Sequence, residues 1–192
     1  MKSLCVYCGS NFNGDPVLRK AIEDLAETMA TQDITLVFGG GSVGVMGVIA
    51  DEILKRGGKA LGVIPQFLMD KEVGHKGLTE MVITENMHQR KQKMADLSDG
   101  FVILPGGFGT LDEFFEALTL IQTNKIGRFP IVLVGKAYWT GLVDWIKTAL
   151  LQSDLHYISE SDLELFCVVD DATEAVKVID EFYSKYLLSP NF

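Results

Sequence analysis

The sequence predicts an α/β fold built on a parallel central sheet. Short apolar segments alternate with amphipathic helical segments along the chain, which is the pattern of repeated βαβ units with right-handed crossovers. Residues 101–104 are continuously apolar, as expected for a strand buried on both faces. Two glycine-rich turns each lead from such a strand into a helix. Because parallel strands end at the same edge of a sheet, we expect these two turns to lie close together.

The elements follow in order from the hydrophobic periodicity. The first helix should begin at Pro16 with Asp15 as its N-cap, because an aspartate side chain can accept a hydrogen bond from a free helical N–H group. Residues 66–77 are predicted as an irregular polar loop of the kind that often forms a lid, with His75 a solvated loop histidine. Predicted strands cover residues 4–8, 34–38, 60–64, 81–84, 101–104, 131–134 and 167–169. Predicted helices cover residues 16–31, 87–97, 139–151 and 172–186, with one ending at residue 56 and one ending near residue 122.

Composition bounds the class of protein. With 192 residues, the chain is predicted to form one domain over residues 1–192. A formal net charge of −9 argues against nucleic-acid and anionic-membrane partners, since both require a basic surface. There is no signal-peptide pattern and no apolar run of about 18 residues, so a cytoplasmic location is expected.

A C-x-x-C pair, Cys5 and Cys8, is the one cysteine spacing that could indicate redox or metal chemistry. The pair falls in a predicted strand, where a spacing of three residues puts the two side chains on opposite faces. We therefore predict no redox site and no metal site here.

The stretch from residue 100 to residue 122 organises the prediction of function. A strand, a turn of almost no side-chain bulk and a helix N-terminus together form an anion site, because free N–H groups and the positive end of the helix dipole converge there. Two carboxylates, Asp112 and Glu113, lie on the first turn of that helix. Thr110 and Glu113 also have the spacing of a capping box, in which both side chains satisfy free backbone donors. A catalytic and a capping role for Glu113 are therefore both open.

The other glycine-rich turn covers residues 39–47. Its glycines do not match a dinucleotide fingerprint, and no acidic residue ends a following strand where a ribose would be bound. A mononucleotide phosphate held by both turns fits better. The alternative is that these glycines merely allow close packing of helix on strand.

The helix at residues 87–97 carries the basic residues of interest. Met87 and Met94 mark its inward stripe, and Arg90 and Lys91 flank that stripe, whereas Lys93 points to solvent. A guanidinium on the core side is costly unless it is paired, so Arg90 contacts a ligand, bridges to a structural carboxylate or extends its charged end to solvent.

These two segments, with the sequences MHQRK (87–91) and PGGFGTLDE (105–113), resemble the paired signature of the LONELY GUY (LOG) family. Its members are cytokinin-activating phosphoribohydrolases that are often misnamed lysine decarboxylases. The resemblance spans essentially the whole chain, including residues 8–10 and the turn at residues 39–47. Asn11 and Phe108 are mild departures, where many members have serine and tyrosine.

The resemblance implies a Rossmann-like three-layer fold with helices on both faces, usually as a homodimer. It implies hydrolysis of a purine nucleoside 5′-monophosphate to free base and ribose 5-phosphate, without a cofactor. Arg90 and Glu113 would be the catalytic pair. Implied substrate contacts are Glu72, Lys91, Gly107, Phe108, Gly109, Thr110, Leu111, Asp112 and Thr119. The glycine turns would hold the phosphate through Gly9, Ser10, Gly41, Ser42, Gly44, Gly107, Gly109 and Thr110.

The chemistry explains why these residue types belong together. Cleaving a glycosidic C–N bond builds positive charge on the ribose, which a carboxylate such as Glu113 stabilises while it orients water. Arg90 is expected to hold Glu113 ionised and oriented. The competing hypothesis is a carrier that binds a phosphorylated ligand on the same fold without cleaving it.

Overall fold

The computed structural model describes residues 1–71 and 73–187. Seven strands form one sheet in which every pairing is parallel. The strands are β1 (Ser3–Tyr7), β2 (Thr35–Phe38), β3 (Ala60–Pro65), β4 (Glu80–Thr84), β5 (Phe101–Ile103), β6 (Ile131–Val134) and β7 (Phe166–Val169). The α-helices are α1 (Pro16–Thr31), α2 (Gly44–Lys55), α3 (Gln66–Met69), α4 (Met87–Asp96), α5 (Phe108–Gln122), α6 (Lys136–Trp145) and α7 (Ala172–Leu187).

The order of the strands is β4-β3-β2-β1-β5-β6-β7. From β1 the chain moves outward to β4, then returns to β5 beside β1 and moves outward in the other direction. This places the topological switch point between β1 and β5, where the loops at the carboxyl ends diverge and leave room for a ligand.

Two hydrophobic cores cover the two faces of the sheet. In β1, Leu4 and Val6 pack against α1, α2 and α7, whereas Cys5 and Tyr7 pack against α4, α5 and α6. Cys8 joins the first core, so the C-x-x-C cysteines lie on opposite faces as their spacing predicted, and both are free and buried. The predicted α/β three-layer fold with a parallel sheet is confirmed.

Local signals explain where several elements begin. The Asp15 side chain accepts a hydrogen bond of 2.7 Å from the Leu18 N–H, so the predicted N-cap of α1 is confirmed. Asn86 caps α4 in the same way, accepting from the Gln89 N–H at 3.0 Å. That cap fixes where α4 starts and therefore which of its side chains face β3 and α5.

The predicted bounds are wrong at a few places. Residues 66–77 begin with the short helix α3 instead of irregular chain, and α6 starts earlier than predicted and continues as a π-helix over Ile146–Leu151. A 3₁₀ helix, Glu160–Leu165, precedes β7. Across residues 1–71 and 73–187, no helix combines the length and apolar character needed to cross a bilayer.

Candidate active site

A cavity of about 380 Å³ opens at the carboxyl edge of the sheet, next to the switch point. Its size is within the range of small-molecule sites, which is about 300–1,000 Å³. The turns after β1, β2 and β5 form its polar wall, through Ser10, Gly41 and Gly107. The two glycine-rich turns predicted from the sequence therefore meet at one site, together with the short turn after β1.

The first glycine-rich turn along the chain, at residues 39–47 between β2 and α2, packs tightly against the β1–α1 turn. Gly44 has φ of 64°, and a Cβ placed there would lie 2.2 Å from the Ser10 carbonyl. The Val45 N–H donates to the Gly9 carbonyl at 3.1 Å. Glycine is required at position 44 by both its backbone conformation and its neighbours.

The second glycine-rich turn, between β5 and α5, has backbone N–H groups without an acceptor in the described part of the chain. The backbone N–H groups of Gly107, Phe108, Gly109 and Thr110 have no acceptor among the described residues. A Cβ placed at Gly107 or Gly109 would meet nothing within 4 Å. Free donors at the N-terminus of a 15-residue helix, next to open space, make an anion-binding cradle.

A buried ion pair lies beside this cradle. Arg90 of α4 donates from Nη1 to Oε1 of Glu113 on α5 at 2.8 Å, and their side chains are only 8% and 11% exposed. Arg90 Nε also donates to the Val63 carbonyl of β3 at 3.1 Å. A Cβ on Gly39 would lie 2.0 Å from Arg90 Nη2, so the first glycine-rich turn makes room for the guanidinium. Both residues line the cavity, so Arg90 has a carboxylate partner, and its contact with a ligand stays a prediction.

The capping-box interpretation of Thr110 and Glu113 is wrong. Helix α5 begins at Phe108 with Gly107 as its N-cap, and no side chain caps it. Thr110 therefore lies inside the first turn, and Glu113 points to Arg90 on another helix instead of back to its own N-terminus. The helix starts three residues earlier than a Thr110 cap requires, with Gly107 at the N-cap position.

Burial controls the acidity of Glu113. It raises the pKa of the carboxyl above its ordinary value of 4.5, although the charge and hydrogen bond of Arg90 lower it. As expected, the charge and hydrogen bond of Arg90 favour the ionised form of Glu113, but desolvation is the larger effect, so the net shift of the pKa is upward. A carboxyl group with a raised pKa is better suited to accept and release a proton near neutral pH.

Cys8 also lines the cavity, but its thiol is a poor nucleophile. Burial raises its pKa far above the ordinary value, and the nearby Glu113 charge adds to that effect. Since the thiolate is the reactive form, the arrangement favours carboxylate chemistry over thiol chemistry.

Lys91 turns away from the cavity. Its Nζ donates to Oδ2 of Asp112 at 2.9 Å and also to the Glu116 carboxylate, and its side chain is 8% exposed. Burial opposes the charged ammonium, but the hydrogen bonds that Lys91 donates to Glu116 and Asp112 outweigh it and raise the Lys91 pKa. Lys91 thus ties α4 to α5 next to the Arg90–Glu113 pair.

The segment after α3 covers the cavity. The Ser42 N–H donates to the Val73 carbonyl at 2.9 Å, and the His75 N–H donates to the Gly40 carbonyl at 2.8 Å. Leu68 and Val73 line the cavity from this side. The predicted substrate contact Glu72 lies outside the described residues.

The prediction that His75 is solvated is wrong. Its side chain is 11% exposed, and Nε2 lies 3.0 Å from Oδ1 of Asp51 on α2. Backbone pairing across the β2–α2 turn carries His75 to α2, and composition alone does not reveal such pairing.

The predicted site residues divide into two groups. Those that line the cavity are Ser10, Gly41, Arg90, Gly107, Phe108, Gly109, Thr110, Asp112 and Glu113. Those placed elsewhere are Gly9, Ser42, Gly44, Lys91, Leu111 and Thr119. Thr119 is an exposed residue two turns further along α5 than Glu113, and Phe108 is 92% exposed at the cavity mouth.

Sequence reasoning missed part of the cavity wall. Gly39 was seen only as part of a glycine run, and its role against Arg90 depends on a side chain 51 residues away. The apolar wall includes Met46, Ile64 and Val73, which carry no local signal of a binding role. Met87 and Met94 do line the cavity, as their inward stripe suggested.

Comparisons with known proteins identify the family of this chain. The family model described as possible lysine decarboxylase matches residues 46–179. A cytokinin riboside 5′-monophosphate phosphoribohydrolase of Arabidopsis thaliana is 36% identical over 94% of this chain and 78% of its own length. The phosphoribohydrolase of the same description from Rhodococcoides fascians is 34% identical over 92% of this chain and 89% of its own.

Among solved structures, the molybdenum cofactor carrier protein of Chlamydomonas reinhardtii has a TM-score of 0.71 at 20% identity, covering 95% of this chain and 98% of its own. The molybdenum cofactor binding protein of Rippkaea orientalis has a TM-score of 0.70 at 18% identity, with the same coverage. At these identities the likeness supports the fold alone.

Proposed function

The chain belongs to the LOG family of cytokinin riboside 5′-monophosphate phosphoribohydrolases, and we propose that it hydrolyses the N-glycosidic bond of a purine nucleoside 5′-monophosphate. The products are the free base and ribose 5-phosphate. The observation that carries the proposal is the buried Arg90–Glu113 pair next to four free backbone N–H groups. A phosphate cradle alone would serve a carrier, whereas a carboxylate beside it supplies a group for chemistry at the sugar.

The proposed reaction begins with binding of the 5′-phosphate at the N-terminus of α5. The free N–H groups and the helix dipole favour a dianion there, so binding energy far from the reacting bond positions the ribose. The cavity wall then holds the C1′ atom near Glu113.

In the chemical step, the bond between C1′ and the base nitrogen breaks and its electron pair goes to the base. The Glu113 carboxylate stabilises the positive charge that develops on the ribose and takes a proton from the attacking water, whose oxygen bonds to C1′. The departing base takes up one proton from solvent and leaves as the neutral species, and Glu113 then releases to solvent the proton that it took from the water.

Arg90 is proposed to orient Glu113 and to contribute charge at the site. Nη1 and Nε are engaged by Glu113 and by Val63, while Nη2 has no acceptor in the described part of the chain. This donor, beside Gly39 at the cavity wall, is available for a substrate oxygen or for the departing base.

Product analysis tests the proposal. The protein is incubated with AMP and, separately, with isopentenyladenosine 5′-monophosphate, and base and ribose 5-phosphate are quantified by chromatography. We expect both products in equal amounts, and the ratio of kcat/KM ranks the two substrates. Intact nucleotide at high protein concentration, with binding measured by calorimetry, would show a carrier instead.

A matched pair of variants locates the chemistry. Glu113→Gln is expected to lower kcat about 100- to 10,000-fold while AMP still binds, since it removes a general base and a charge at the site. Glu52→Gln is the control, because Glu52 is also a largely buried, ion-paired carboxylate, with Arg56, but lies at the far end of α2. Equal activity in the two variants would contradict the assignment.

The assembly and location of the protein are also proposals. We propose that residues 1–192 act as one domain in a cytoplasmic homodimer, without nucleic-acid or membrane partners. The net charge of −9 and the family resemblance support this. Light scattering on the purified protein measures the assembly, and a monomeric mass would contradict the homodimer.

A further inference from the structure

A second groove lies on the other side of the β5–α5 turn from the cavity. Its volume is about 910 Å³, and its wall includes Pro105, Gly135 and Tyr138, whereas Gly107 faces the cavity. Residues 105–107 therefore lie between the two spaces, with Pro105 at the groove and Gly107 at the cavity, and we call this segment the partition. Tyr138, near the start of α6, reaches this partition from the groove side and donates a hydrogen bond from its hydroxyl to the Gly106 carbonyl.

The Tyr138 hydroxyl is held by a rigid support. Its ring packs edge-on against Trp139, with ring centroids 4.8 Å apart and an interplanar angle of 84°. Trp139 is fully buried and donates from Nε1 to the Val134 carbonyl at 3.1 Å. The start of α6 is fixed in turn by the Asp170 carboxylate, which accepts from the Lys136 N–H at 3.0 Å.

The hydrogen bond determines which way one peptide group points. The C=O and N–H of a trans peptide point in opposite directions, so a Gly106 carbonyl directed to Tyr138 directs the Gly107 N–H to the opposite side of the partition. That side is the cavity. Because both residues are glycines, their backbone dihedrals alone do not prevent this peptide from turning over.

We infer that Tyr138 is a positioning residue for the anion cradle: by holding the Gly106 carbonyl, it keeps the Gly107 N–H directed at the phosphate of the substrate. The neighbouring Pro105 carbonyl is already held by the Gly9 N–H at 3.3 Å, so Tyr138 completes the anchoring of the turn. The inference rests on the proposed function, since it takes the ligand of the cradle to be the 5′-phosphate.

Tyr138→Phe tests this role, since it keeps the ring and its packing and removes only the hydroxyl. Calorimetry is used to compare ribose 5-phosphate with adenine as ligands. We expect the variant to bind ribose 5-phosphate about three- to tenfold more weakly, as for the loss of one hydrogen bond, and to bind adenine like the wild type. The loss in kcat/KM for AMP should match the loss in ribose 5-phosphate affinity, with an unchanged melting temperature.

The control is Tyr157→Phe, which removes the hydroxyl of an exposed tyrosine outside both spaces. Unchanged ribose 5-phosphate affinity in Tyr138→Phe, or an equal loss for adenine, would overturn the inference. Failure of the proposed function has a different signature. If the wild-type protein binds ribose 5-phosphate but leaves every nucleotide intact, the proposed hydrolase activity is contradicted. The ratio of the ribose 5-phosphate affinities of the wild type and Tyr138→Phe still tests the role of Tyr138.

Discussion

The two glycine-rich turns look alike in the sequence, but they differ in what surrounds their glycines. In the β2–α2 turn, Cβ atoms on Gly39 and Gly44 would lie 2.0 Å from Arg90 and 2.2 Å from Ser10, so the protein itself fills the space beside them. In the β5–α5 turn, Cβ atoms on Gly107 and Gly109 would meet nothing within 4 Å. Glycine in the first turn permits packing, and glycine in the second leaves room for a ligand.

This difference separates the two hypotheses that the sequence left open. Gly44 does allow close packing, although against the β1–α1 turn and not against a strand, and an open cradle with donors that have no acceptor among the described residues is found at the β5–α5 turn. A glycine run therefore does not identify a phosphate site until the atoms around it are known. Substitutions to alanine at single glycines test the contrast directly.

The largest expected effect is that of Gly44→Ala on folding. The Cβ of the alanine would clash with backbone atoms of Ser10 and Asn11, and the alanine backbone would have to adopt a left-handed conformation. The free energy of unfolding should therefore fall by about 3 kcal/mol or more. Chemical denaturation measures it. Gly14→Ala is the control, because Gly14 has φ of 83° but a Cβ there would have no neighbour within 4 Å. The free energy of unfolding of this variant should fall by only about 1–2 kcal/mol. Equal losses would mean that packing at Gly44 contributes nothing.

Gly39→Ala should act on catalysis more than on folding. The added methyl group would displace the flexible end of Arg90 and disturb its hydrogen bond to Glu113. We therefore expect kcat to fall about 100-fold, which corresponds to an activation free energy higher by roughly 2.7 kcal/mol. Steady-state kinetics with AMP measure it. Gly58→Ala is the control: its Cβ would lie 2.9 Å from the Ile53 side chain, a milder close approach away from the cavity, and it should retain wild-type kcat.

Gly107→Ala should leave folding intact and weaken substrate binding. Its backbone φ of −91° suits alanine and its Cβ meets no protein atom, but the methyl group would enter the cradle. We expect KM for AMP to rise about tenfold, which corresponds to a loss of roughly 1.4 kcal/mol in binding free energy. The melting temperature should be like that of the wild type. Gly127→Ala, also without neighbours, is the control. A wild-type KM would show that Gly107 does not face the substrate.

The smallest expected effect is on the pH dependence of stability. The pKa of Glu113, on the helix after the open turn, is raised by burial, so its contribution to stability is present below the ordinary value of 4.5 and is lost as pH rises through the folded-state pKa. The pKa of Glu52, on the helix after the packed turn, is lowered by its hydrogen bond with Arg56, so its contribution is lost as pH falls.

Denaturation curves of the wild type, Glu113→Gln and Glu52→Gln from about pH 2.5 to about pH 8 compare the two carboxylates, because the Glu52 effect lies below its ordinary pKa of 4.5. Relative to Glu113→Gln, the wild type should lose stability as pH rises. Relative to Glu52→Gln, it should lose stability as pH falls. The same sign for both carboxylates would contradict the assignment of burial as the dominant effect at Glu113.

Much of the fold was predictable because its signals are local. The alternation of apolar strands and amphipathic helices determined a parallel α/β sheet, and Asp15 before Pro16 determined the start of α1. The MHQRK and PGGFGTLDE segments determined the family, since each has its own residue types at its own spacing. These signals depend on residues a few positions apart, which a chain carries before it folds.

Only the tertiary structure decided which groups face each other. Arg90 and Glu113 are 23 residues apart and meet because β5 lies beside β1, which brings α4 and α5 together over one face of the sheet. Glu113 pairs with Arg90 instead of forming the predicted capping box, and its burial raises its pKa by more than Arg90 lowers it. Lys91, one residue from Arg90, turned to Asp112 and Glu116 because a helix places neighbouring residues about 100° apart. Burial and pairing are properties of the assembled layers, and no local pattern in the sequence specifies them.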